Sequence, residues 1–108
     1  MPLERRAGIR KPVDQEVMVI HDLSHRLCKI HDLSLNGAML DLGWGALTRD
    51  VPVELAISLP SAKGKSSYRL PAQVARVSTD GTAIKFRQLE STAIEAMQRY
   101  LQTEVRSA

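Results

Sequence analysis

Apolar residues recur at every second position through much of this chain. Between residues 51 and 59, Val51, Val53, Leu55, Ile57 and Leu59 alternate with Pro52, Glu54, Ala56 and Ser58. That is the pattern of a strand with one buried face. Residues 16–20, 25–33, 37–42, 68–77 and 82–86 also have strand composition. Turn-forming residues separate these runs: His21-Asp22-Leu23-Ser24, Gly43-Trp44-Gly45, a polar loop over residues 60–66, and residues 78–81. Pro71 predicts a break in the fifth strand, because proline has no N–H for a central ladder. After residue 90 the period changes. Ala93, Met97, Tyr100, Leu101 and Val105 fall near helical spacing, and Thr92 with Glu95 forms a capping box. The pattern predicts one helix over about 92–105, with Met97, Tyr100 and Leu101 as its core stripe, or as a dimer contact if the helix docks only in part. Six short strands and a terminal helix predict a mainly all-β chain, a six-stranded antiparallel barrel with the helix over its open end.

Length and composition narrow this further. With 108 residues, 44% hydrophobic and 25% charged, the chain is one ordinary globular domain with a modest core. No apolar run is long enough to span a bilayer, so no membrane insertion is expected. The first residues lead into no apolar stretch and Cys28 has no partner cysteine, so a reducing cytoplasm is the expected location. The net charge of +3 is unevenly spread. Residues 1–13 carry Arg5, Arg6, Arg10 and Lys11 against only Glu4, with Gly8 and Pro12 as breakers. This reads as a flexible basic arm ahead of a body over residues 14–108. Such an arm suits an anionic partner, or is a solvated basic tail.

Asp32-Leu33-Ser34-Leu35-Asn36-Gly37 is the stretch richest in chemistry. Extended, it points Asp32, Ser34 and Asn36 one way and Leu33 and Leu35 the other. The leucines are then core anchors and the polar residues an outward row, beside a glycine that permits positive φ or close approach. The same residues also read as a tight turn, since Asn-Gly is the strongest short hairpin signal. In the arm, Arg6 and Arg10 lie roughly 13 Å apart if extended and about 6 Å apart on a helical turn. Either spacing lets two guanidinium groups grip one bulky anion. Arginine forks bind phosphate or the O6/N7 edge of guanine, and a carboxylate such as Asp32 accepts from guanine N1–H and N2–H.

Arg6-x-x-x-Arg10 followed by Asp32-x-Ser34-x-x-Gly37 resembles the paired signature of PilZ domains, small bacterial barrels that bind cyclic diguanylate. The doubled Arg5-Arg6, the flanking Leu33, Ala38 and Leu40, residues 81–86 and the terminal helix are also similar to that family. The resemblance covers nearly the whole chain. It implies a non-catalytic cyclic diguanylate receptor and adaptor, with no cofactor, in which Arg6 and Arg10 grip guanine and phosphate. Asp32 and Ser34 contact the other guanine, Gly37 shapes the turn, and Asn36 lies in a variable slot. Arg5, a basic residue before the pair, implies a stacked ligand dimer, and Arg76 matches a further ligand-facing position. Ligand ordering the arm would signal to a downstream protein effector in motility or biofilm formation. The chain itself is expected as a monomer or weak homodimer.

Two other functions compete. A small basic barrel could bind RNA or DNA, but stacking platforms need exposed aromatics and only 4% of residues are aromatic. A PilZ-like interaction module with a vestigial site is the second; the intact signature opposes it. No acid–base pair or phosphate-cradling glycine loop points to an enzyme. His21, His25, Cys28 and His31 have metal-ligand chemistry, yet on a strand His25 and His31 face away from Cys28, so no metal is expected and Cys28 reads as core filling. Trp44, between two glycines, reads as a core or rim residue or as a stacking surface for a base.

Overall fold

A computed structural model of the chain describes residues 11–43, 47–61 and 64–107, with side chains over 15–43, 47–60 and 64–102. The alternation becomes β1 (Lys11–His21), β2 (Ser24–Leu33), β3 (Gly37–Leu40), β4 (Pro52–Ser61), β5 (Gly64–Ser78) and β6 (Gly81–Phe86). A helix, α1 (Ser91–Ser107), follows. The strands close into a barrel in the order β1-β2-β3-β6-β5-β4, every pair antiparallel. Closure comes from β1 against β4, through Met18↔Ala56, Val19↔Leu55 and Ile20↔Glu54. Gln15 Nε2 donates to Ser58 O at 3.1 Å and extends that seam by a side chain.

Alternation sorts the strands as expected. Val53, Leu55, Ile57 and Leu59 are buried, while Glu54, Ala56 and Ser58 are half-buried on the outer face. Val17, Val19, Cys28, Ile30, Leu33, Leu40, Leu70 and Val74 fill the same core. Ala93, Ala96 and Met97 of α1 join it, and the helix lies against β4 and β1. Burial of this apolar stripe is what holds the helix to the barrel.

Several boundaries differ from the sequence reading. β1 starts at Lys11, so the last three residues of the expected arm belong to the barrel, two of them paired as Lys11↔Leu33 and Pro12↔Asp32. Pro12 is tolerated because it lies near the strand's beginning, just before a register shift. Most of the loop expected over residues 60–66 is strand, with β4 running to Ser61 and β5 starting at its partner Gly64, where φ is 109°. β5 does not break at Pro71. The Pro71 carbonyl accepts from Arg87 N–H at 2.8 Å, just past the end of β6, so the missing N–H falls where no ladder partner is needed. β3 stops at Leu40 rather than residue 42, and Leu42 O instead accepts from the buried Thr82 Oγ1 at 2.7 Å. The helix begins at Ser91 with Ile94 N–H donating to Glu90 O. Thr92 therefore sits exposed inside the first turn and caps nothing.

Two glycines let β3 and β6 come together. A Cβ on Gly37 would lie 2.0 Å from Ile84 O, and one on Gly81, whose φ is 147°, would lie 2.4 Å from Leu40 O. Both obstacles are main chain and cannot swing aside. Gly37→Ala is expected to cost about 2 kcal/mol or more and to lower the melting temperature by about 10 °C. Gly43→Ala, with nothing within 4 Å of its Cβ, is the control and should melt with the wild type in the same calorimetric scan.

Candidate functional site

β2 and β3 are joined by a turn over residues 34–37. Ser34 N–H donates to Gly37 O at 2.9 Å, and Ser34 Oγ accepts from the main-chain N–H of Asn36 (3.2 Å) and of Gly37 (3.3 Å). Asn36 O accepts from Phe86 N–H at 2.8 Å. This corrects the outward row of Asp32, Ser34 and Asn36. Strand geometry ends at Leu33, so period-two extrapolation fails beyond it. Ser34 is buried, at 3% exposure, and its hydroxyl is committed to the turn; Leu35 is exposed at 37% instead of anchored. The hairpin reading of these residues holds, and Gly37 serves the close approach of Ile84 rather than a positive φ.

Asp32 does face outward, for a reason the register shows. Ile30 pairs with Leu40, and then Asp32, not His31, pairs with Met39. The extra residue puts both His31 and Asp32 on the outside and returns Leu33 to the core. β5 repeats the device. Val74 pairs with Ile84, then Arg76 pairs with Ala83, so Ala75 and Arg76 both face out before Val77. A third shift lies in β1 between Pro12 and Gln15.

These shifts converge on one lateral row, Pro12↔Asp32↔Met39↔Ala83↔Arg76, crossing β1, β2, β3, β6 and β5. Asp32, Met39 and Ala83 are half-buried and Arg76 is exposed. Three strand spacings separate Asp32 from Arg76, about 14 Å along the sheet. A carboxylate and a guanidinium thus bracket a floor of Met39 and Ala83. Arg10 precedes Lys11, the residue opposite Leu33, so the chain enters the barrel beside this row. Arg5, Arg6, Arg10 and Trp44 lie outside the described residues.

Beside the turn, a groove of about 310 Å³ is lined by Leu35, Asn36, Lys85, Gln88, Leu89 and Ile94. Lys85, opposite Gly37 in β6 and exposed, is a residue the sequence reading missed. Its strand and outward parity were readable; its place beside the turn needed the β3–β6 pairing. A larger groove of about 640 Å³ lies elsewhere, on the outer face of β1, β4 and β5, around Ile20, Pro52, Glu54, Pro71 and Gln73.

The histidines do not converge on Cys28. His25 and His31 are exposed, His31 Nε2 lies 3.8 Å from Asp41 Oδ1, and His21 Nδ1 is 3.0 Å from Pro52 O. Among the described residues no three His, Cys, Asp or Glu side chains are placed to hold a metal. Burial pushes the Cys28 thiol up to about 11 from its ordinary 9.0, with the Asp41 and Glu16 carboxylates adding to the effect.

Comparison with known proteins places the chain in a family. The family model described as the PilZ domain matches residues 4–103. The chain belongs to the PilZ family. This family comprises cyclic diguanylate-binding and adaptor domains, generally without enzymatic activity. Among solved structures, the PilZ domain of CeSA from a cellulose-synthesizing bacterium is similar at 21% identity and a TM-score of 0.69, covering 87% of this chain and 95% of that one. The Bacillus subtilis inhibitor of motility (MotI/DgrA) is similar at 14% identity and a TM-score of 0.78, over 91% of this chain. This PilZ chain corresponds to 50% of the length of that protein. An uncharacterized Legionella protein is similar at 15% identity and a TM-score of 0.56, over 92% and 98% of the two chains. No curated protein sequence matches. These likenesses show the fold. No described helix is long and apolar enough to cross a membrane.

Two expectations follow from the site's local chemistry. Ser34→Ala leaves two turn N–H groups without their acceptor and should lower unfolding stability by about 1–2 kcal/mol in urea titrations; a serine that served a ligand alone would leave the midpoint unmoved. Cys28 stays protonated and shielded at pH 8, so a maleimide should modify the native protein far more slowly than the urea-unfolded chain. The linked stability is complete below pH 9 and declines as pH rises towards about 11.

Proposed function

We propose that this PilZ domain is a cyclic diguanylate receptor that works as an adaptor. The observation that carries the reading is the lateral row. Register shifts in β2 and β5 aim Asp32 and Arg76 onto one face, and the chain carrying Arg10 enters beside it. Asp32 accepts from N1–H and N2–H of one guanine. Arg6 and Arg10 supply forks for the other guanine edge and the phosphates. Arg6 is five residues before Lys11, a reach of at most about 17 Å, enough to cross the row. Ser34 acts chiefly by fixing the turn that carries Asn36 and Gly37. Arg76 closes the far end, and Arg5 favours a stacked pair of ligands over one. Binding draws residues 1–10 over the face, and a downstream protein reads the covered surface. Ordering that segment reduces net affinity but makes the output depend on occupancy.

Isothermal titration with cyclic diguanylate, with GTP as control, tests this directly. Saturable binding of one or two ligands per chain, without heat from GTP, is expected. Arg10→Ala and Asp32→Ala should each lose about 2–4 kcal/mol of binding, with an unchanged melting temperature for Arg10→Ala. Absence of binding to the folded wild type would leave a PilZ barrel whose partners are proteins alone.

A further inference from the structure

β2 is ten residues long, but β3, its neighbour on one side, has only four. Pairing between them begins at Ile30↔Leu40, and the last bond on that side runs from Asp41 N–H to Lys29 O at 2.8 Å. Lys29 therefore turns its main chain toward the β3 side. Main-chain direction alternates along a strand, so His25 and Leu27 turn their N–H and C=O groups the same way. No described strand pairs with them there. Leu42 O takes Thr82 Oγ1 and Asp50 N–H donates to Val74 O, so neither reaches this part of β2. Among the described residues, β2 thus has a short open edge beside the tip of the β1–β2 hairpin.

This edge has a definite chemistry. Residues 24–29 include Arg26 and Lys29 and no acidic residue. Leu27 is 62% exposed on it, and Leu23 at the hairpin tip is 98% exposed. We propose that the open edge of β2 at His25 and Leu27 takes an extended segment of a partner protein as a further strand, one that alternates acidic with apolar side chains. Main-chain bonds to His25 and Leu27 set the register, Leu27 packs on an apolar side chain on its own face, and Arg26, on the opposite face, meets a carboxylate. A second copy of the same edge fits poorly, because it would set the cations of this edge against their own kind. The edge lies away from the Asp32–Arg76 row, so the proposal does not rest on ligand binding there.

The test uses the full chain and a short blocked peptide alternating glutamate and valine, with a lysine–valine peptide as control. Amide exchange at His25 and Leu27 should slow with the acidic peptide and not with the basic one. Leu27→Pro removes an N–H that faces the open side and spares the β1 ladder; it should abolish binding. Should that variant melt early, Arg26→Glu serves instead and should weaken binding about tenfold. Unprotected His25 and Leu27 amides at millimolar peptide, or equal binding of both peptides, would overturn the proposal. So would a self-associated protein in which those amides are already protected, since the occupant would then be a second copy.

Discussion

A closed barrel has an inside filled almost wholly by apolar side chains, and along a regular strand residues alternate between inside and out. A polar group can therefore be aimed at a chosen point on the surface only by keeping the alternation or breaking it by one residue. This chain breaks it at chosen places. Where Asp32 would have fallen inward in phase with Ile30, one extra residue turns it out and restores Leu33 to the core. The same slip turns out Arg76 in β5. An ionised carboxylate left inside would be strongly disfavoured, so the register shifts are a condition of the fold as well as of the face they build.

Much of this was legible in the residues. The clean alternation of β4 appears unchanged in its burial, and the change to helical spacing after residue 90 marks α1. Even the register shifts leave a trace, since apolar core positions fall three apart instead of two at Ile30 and Leu33 and again at Val74 and Val77. What was not legible depended on neighbours distant in the chain. Pro71 looks like a strand breaker until the end of β6 is seen beside it. Gly37 looks like a turn glycine, yet its requirement is set by the Ile84 carbonyl. Ser34 was misplaced because the period was carried one residue into a turn, where the side chain bonds to its own main chain instead. The capping box failed because the first turn is closed from Glu90, two residues before the Thr92 that the sequence pattern suggests.

The two surfaces described here use strand pairing in opposite ways. The Asp32–Arg76 row needs four strands in register and sits where pairing is continuous. The β2 edge at His25 and Leu27 exists because β3 is too short to cover it. One barrel thus offers a face built from side chains and an edge built from main chain, with little overlap between them.

The order of the strands has one more consequence. β1, β2 and β3 follow one another by hairpins, and so do β4, β5 and β6, making two three-stranded meanders. Only β1–β4 and β3–β6 stitch the meanders together, and the second stitch joins Gly37 to Lys85, 48 residues apart (85 − 37). Such distant contacts form late, after the local hairpins have reduced the loop to be closed. Asp32 belongs to the first meander and Arg76 to the second. A molecule held by both can bind only the stitched barrel, so its occupancy would act as a clasp and shift the folding equilibrium itself.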